Sequence, residues 1–198
     1  MRAILITLAL FFLSGCTTIK PSIAEYNITI EDLDIAKSES GCKERSLKIA
    51  KAFSSTSLAS LRMDYAEFDN RVFAYSQSQW QESPNSIITS QLLKNIRESE
   101  LFKSVHSSNS RVKSDFILET NIEEFMQFYT QNLQKSYVKV VLSSSLIDVK
   151  TNGVVATKTF NLKVDTKTLD ASGGVEAFEI ALSKIISQNI EWLNGVCR

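Results

Sequence analysis

The stretch YVKVVLSSSLIDVKTNGVVATKTFNLKV, residues 137–164, decides the fold. Val138, Val140, Leu142 and Leu146 share one phase, so Tyr137–Val149 reads as a strand with one buried face. Thr151-Asn152-Gly153 is a hairpin signal, because Asn and Gly tolerate positive φ. The chain then returns, with Ala156, Phe160, Leu162 and Val164 aligned. A third long strand precedes the pair, from Asp115 to Thr130. In it Phe116, Leu118 and Ile122 keep one phase, while Phe125 and Tyr129 keep the other. A phase flip inside one strand predicts a bulge near Glu123-Glu124.

Outward from this meander, two amphipathic helices are expected. Ser83 is a good N-cap and Pro84 suits the first helical position; Ile88, Leu92 and Ile96 follow at four-residue spacing to about Glu100. Phe178, Leu182, Ile185 and Leu193 stripe a second helix, from about Gly174 to Asn194, with Gly195 as its stop. Earlier, Tyr26–Ile30 alternates as a short strand, and Ser46–Phe53 alternates again on Leu47, Ile49 and Phe53. Leu61–Phe68 and Arg71–Trp80 form a hairpin about Asp69-Asn70. This order predicts an α+β fold: a mostly antiparallel sheet with two amphipathic helices packed on one face.

The amino terminus carries an address. Met1-Arg2, a short apolar run from Ala3 to Leu13, and the small residues Ser14 and Gly15 have the order of a secretory signal peptide. The run falls short of the roughly 20 apolar residues a spanning helix needs. Leu13-Ser-Gly-Cys16 resembles the bacterial lipobox. That resemblance implies cleavage before Cys16 and lipid on its sulfur and new amino group. Residues 1–15 are thus signal, 16–25 a lipidated Cys with a short tether, and 26–198 one α+β periplasmic domain. Thr17, in place of an Asp, leans the anchor toward the outer membrane.

Composition fits a single domain. The chain has 22 basic and 22 acidic residues, so no cationic surplus points to nucleic acid. With Cys16 given to lipid, Cys42 and Cys197 remain, and an oxidising compartment predicts their disulfide. No catalytic motif appears. The single His106 lies in a Ser-rich segment and reads as a surface residue. Ser172-Gly173-Gly174 reads as a loop ending at a helix, without the Lys of a phosphate cradle. Glu123 and Glu124 are adjacent in a strand and make no acid–base pair. Metal-ligand spacing is absent, and no cofactor is expected. Glu25-x-Asn27-x-Thr29 matches a periplasmic glycosylation acceptor and reads as an accidental match inside a strand.

The segment Phe73-AYSQSQ-Trp80-QES-Pro84 ends a strand in Tyr-x4-Trp-x-Glu-x-Pro and opens a helix. Phe102-Lys-Ser-Val105, Ser114-Asp-Phe-Ile-Leu118 and Ile147-Asp-Val-Lys-Thr-Asn-Gly153 follow in order. Together with the lipobox, this sequence resembles the auxiliary lipoproteins of ABC-type transport systems, the family of the paraquat-inducible lipoprotein. Gln81 stands where that family usually has Ala. The resemblance implies a non-enzymatic partner of an ABC transporter with a mammalian-cell-entry (MCE) type substrate-binding protein, moving phospholipid or other apolar molecules. Tyr75 and Trp80 are then candidates for a partner surface, since aromatics with polar tips recur at interfaces. Homo-oligomer formation stays open. The rival reading is a scaffold lipoprotein for outer-membrane or lipopolysaccharide assembly, or for activation of cell-wall synthesis.

Overall fold

The computed structural model describes residues 21–30, 33 and 41–197. Cys16, the signal segment and most of the tether lie outside them. Among the described residues, eight strands form one sheet: β1 (Ala24–Tyr26), β2 (Ser46–Ile49), β3 (Arg62–Ala66), β4 (Val72–Trp80), β5 (Ser104–Ser107), β6 (Phe116–Tyr129), β7 (Ser136–Asp148) and β8 (Gly153–Asp165). Two α-helices accompany them, α1 (Pro84–Glu98) and α2 (Ala171–Val196), and a short 3-10 turn at Ser57–Ala59.

The meander is as expected. β6 pairs antiparallel with β7, and β7 with β8. The bulge lies between Ile122 and Glu124, so Glu123 is the extra residue. Before it Leu118, Thr120 and Ile122 are buried; after it Phe125 and Gln127 are. The bulge keeps both halves of the strand facing the core despite the change of phase.

The other edge of β6 shows that the expectation of a mostly antiparallel sheet holds only in part. Two short strands line up end to end along it, both parallel to it: β2 against Leu47↔Phe116 to Ile49↔Leu118, and β3 against Tyr65↔Gln127 and Ala66↔Phe128. β5 adds parallel to β2, and β1 adds parallel to β4. The sheet is therefore mixed, with β3–β4 as the antiparallel hairpin on this side. Asn70 takes the positive φ of 63° that the hairpin turn requires.

Both helices cover the same face. Cross-strand partners share a face, and Ile49, Leu118, Leu146 and Ala156 are partners in series. Over that face lies α2, where Asn189 Nδ2 donates to Ser144 Oγ at 2.9 Å. Beside it α1 buries Ile87, Ile88, Leu92 and Ile96 in the same core. Leu101 and Phe102 close its end, both buried. Ser83 sits at the N-cap position but makes no side-chain cap; its hydroxyl donates instead to Asn85 Oδ1.

Three local expectations change. The alternation at residues 26–30 reports burial rather than a ladder. The strand is Ala24–Tyr26, and Ile28 and Ile30 are buried beyond it. Their carbonyls accept from Gln91 Nε2 and Lys94 Nζ on α1. β2 ends at Ile49, after which Ala52 N donates to Thr89 Oγ1 of α1, and Phe53 makes a single bridge to Asn121 with its ring 74% exposed. α2 begins at Ala171 and runs through Gly195 to Val196, so Ser172-Gly173-Gly174 is its first turn rather than a loop.

The Cys42–Cys197 disulfide joins the start of the domain to the end of α2, with Cα atoms 5.3 Å apart and 155 residues between them.

Candidate functional site

The sheet has two chemically different ends. β6 spans about 45 Å between them at the usual strand rise. At its carboxyl end, in-register pairing sets Tyr65 opposite both Gln127 and Phe73. Tyr75 and Tyr129 stand beside them, with ring centroids 4.7 and 5.3 Å from Tyr65. The Tyr75 and Tyr129 hydroxyls are 2.7 Å apart. Tyr75 also donates to Gln127 Oε1 at 3.0 Å, and Tyr129 to Leu169 O at 2.9 Å. Gln127 Nε2 in turn donates to Ser136 Oγ and to Asp170 O. Burial, then the Tyr129 hydroxyl, push the Tyr75 phenol above its ordinary range; burial first does the same to Tyr129. Both phenols stay neutral at physiological pH and serve as hydrogen-bonding clamps between the β3–β4 hairpin and the start of α2.

Beyond this clamp the chain turns apolar and exposed. Phe68 at the hairpin tip is 56% exposed, Val72 53%, and Leu133 in the adjacent β6–β7 turn 50%. Arg71 ties the tip together, meeting Asp69 Oδ2 at 2.6 Å and Glu67 Oε2 at 3.0 Å, with its guanidinium 5.6 Å from the Phe73 ring.

The opposite end is basic. Arg45, Lys48, Lys113 and Lys150 surround Asp115 and Asp148 over an apolar floor that includes Ile117 and Val149, in an open cleft of about 500 Å³. Ser46 N and Oγ donate to Asp115 Oδ2 at 2.7 and 2.8 Å. These bonds hold the Asp115 carboxyl below its usual range, with Arg45 at 3.7 Å adding to the effect. Four cations against two carboxylates leave this end positive, suited to anionic groups on a partner. On the face away from the helices, Phe53 overhangs a groove of about 420 Å³ lined by Glu119, Ser143 and Ser145. Hydroxyl pairs Ser143–Thr159 and Ser145–Thr157 run alongside it.

No family model matches this chain, and no curated protein matches it. Solved structures do. A Xanthomonas campestris protein of family DUF330 superposes with a TM-score of 0.76 at 16% identity, covering 88% of this chain and 95% of its own. An uncharacterized protein follows at 0.61 and 14%, with coverages of 88% and 97%. The hypothetical protein CT253 of Chlamydia trachomatis follows at 0.54 and 7%, with 78% and 98%. What is shared is the fold. At these identities it is a likeness of backbone.

Of the residues singled out in the sequence, Tyr75 is half-buried in the phenol clamp. Trp80 is 3% exposed, its ring 5.9 Å from Phe125 and 5.8 Å from Phe178. A buried indole offers no partner surface, so the structure gives Trp80 to the core. Cys16 lies outside the described residues. His106 stands in β5, half-buried, with Nε2 2.9 Å from Ser104 Oγ. Asn27 is exposed just past β1, rather than within a strand. Asp170 Oδ1 accepts from Gly173 N, so the amino end of α2 is capped by the chain's own carboxylate. Among the described residues there is no cluster suited to a metal ion, and no helix long and apolar enough to cross a membrane. Sequence reasoning missed the basic end, because its cations come from three separate segments: Arg45 with Lys48, Lys113, and Lys150.

Proposed function

We propose that this protein is a lipid-anchored envelope lipoprotein, a non-enzymatic auxiliary component of an ABC/MCE-type system moving phospholipid or other apolar molecules. The observation that carries the reading is Leu13-Ser-Gly-Cys16 standing eight residues before the first strand. A lipid on Cys16 fixes the domain at a bilayer and raises its effective concentration near membrane-bound partners, so modest contacts suffice. The motif order supports the transport role. The Tyr-x4-Trp-x-Glu-x-Pro segment falls at the end of β4 and the start of α1, and Thr151-Asn-Gly at the β7–β8 turn. The fold shared with the DUF330 protein and the positive end of the sheet are in keeping with it. The outer membrane is the proposed site, on Thr17.

The test is crosslinking in membranes followed by pull-down of the tagged full chain. An MCE-type protein or transporter subunit among the crosslinked partners is expected. Recovery of cell-wall synthases or barrel-assembly factors alone would replace the transport reading with the scaffold one.

A further inference from the structure

We infer that the β3–β4 hairpin tip, with Phe68 foremost, seats in the surface of the same bilayer that holds the Cys16 lipid. The inference rests on the lipid anchor proposed above. Two independent observations carry it.

The first is where the tether leaves. β1 runs parallel to β4, with Ala24 against Ser78 and Tyr26 against Trp80. The chain before Ala24 therefore departs toward the start of β4, the end that carries the tip. From Ser78 back to Val72 is about 20 Å at the strand rise. From Ala24 back to Cys16 the chain can reach at most about 28 Å, fully extended. The reach exceeds the distance, so a lipid on Cys16 can enter a bilayer that touches the hairpin tip. The basic end lies on the far side of the sheet.

The second is what the tip presents. Exposed apolar residues at that end include Phe68, Val72, Phe73, Leu133 and Leu169, with Phe68 and Leu133 on two adjacent turns; the opposite end also exposes Val149 and Val154, but beside its cations. A polar turn between strands needs no aromatic at its apex. Arg71 engages both acidic neighbours, Glu67 and Asp69, so the charges flanking Phe68 are partly neutralised within the turn. That surface chemistry fits the zwitterionic interface of a bilayer, where apolar side chains bury beneath headgroups. The phenol clamp of Tyr75, Tyr129 and Gln127 fixes the hairpin to α2, so the tip is held rigidly in that direction.

The test uses the full lipidated chain in vesicles of phosphatidylethanolamine and phosphatidylcholine in equal parts, with a nitroxide-labelled lipid as quencher. A bimane is attached at Phe68→Cys, at Leu133→Cys, or at Lys150→Cys, each in a separate protein with the native disulfide left oxidised. Quenching at 68 and 133 several-fold above that at 150 is expected. Equal quenching at both ends, or quenching at 150 alone, would overturn the orientation. Vesicle-bound protein with no quenching at 68 or 133 would also overturn it, while leaving the lipid anchor standing. Failure of the unlabelled chain to float with vesicles, or flotation of Cys16→Ser as complete as its own, would remove the anchor and the orientation with it. The Leu133 label keeps the test decisive if Phe68→Cys misfolds.

Discussion

Trp80 ends β4 between Phe125 and Phe178, and three rings in mutual contact decide its role. Trp80→Ala should cost about 3–5 kcal/mol of folding stability, the range for deleting a buried aromatic. Urea denaturation measures it; a loss under about 1 kcal/mol would return the residue to the surface. Tyr75→Phe removes one hydroxyl shared by Tyr129 and Gln127 and should cost about 1 kcal/mol by the same assay. Glu124 differs in sign. Burial raises its carboxyl above the ordinary range, and the Lys139 charge offsets only part of this. A carboxyl whose folded pKa exceeds its unfolded one costs stability once pH rises past the ordinary value. Glu124→Gln should therefore stabilise the protein at about pH 7 and change little at about pH 3, where both states are protonated. At this scale the sequence showed which residues are aromatic or charged. It did not show which of two aromatics five positions apart, Tyr75 and Trp80, would be buried, because that depends on what α2 lays across the strand.

At the scale of elements, the start of α2 is the most constrained. Asp170 caps it through Gly173 N, and Thr168 Oγ1 donates to the same oxygen at 2.7 Å. The backbone bond from Gly173, then that from Thr168, hold the Asp170 carboxyl below its usual range. Its contribution is full above the ordinary carboxylate pKa and is lost as pH falls through the depressed folded value. Asp170→Ala should cost about 1 kcal/mol at neutral pH, and the difference from the native chain should vanish in acid-unfolding curves at the lowest pH. A Cβ at Gly174 would overlap Gln127 Oε1, which Tyr75 already holds. Gly174→Ala should then cost about 1–3 kcal/mol by overpacking. Both helices, the meander and the bulge were legible, since each rests on periodicity within one segment. The sequence places Gly173 in a loop and starts the helix at about Gly174, whereas the helix begins at Ala171, because Asp170 caps it there. The alternation at 26–30 was real, but the partners of those backbone groups are side chains of α1, and periodicity does not name partners.

For the molecule as a whole, the disulfide and the anchor are the two covalent constraints to test. Closing a loop of 155 residues stabilises by about 5 kcal/mol in the chain-entropy limit. Reductant, or Cys42→Ser with Cys197→Ser, should lower the midpoint of thermal unfolding markedly, and thiol titration of the unfolded, unreduced chain should find neither cysteine free. Cys16→Ser should leave an unprocessed or soluble product in cell fractionation, where the native chain pellets with membranes. β5 (Ser104–Ser107) is not among the strands that the sequence predicts. The sequence by itself determined the three-strand meander, the two apolar helix stripes and the hairpins at Asn70 and Asn152, and it predicted the Cys42–Cys197 disulfide. Each follows from local stereochemistry, from hydrophobic period or from elimination. The tertiary structure alone decided that β2 and β3 share one edge of β6 in parallel, that Trp80 is core, and that four scattered cations gather at the end opposite an apolar tip. Those are facts of which segments lie side by side. A strand's period is the same whichever neighbour it pairs with and in whichever direction that neighbour runs, so pairing is settled only when the whole sheet closes over its helices.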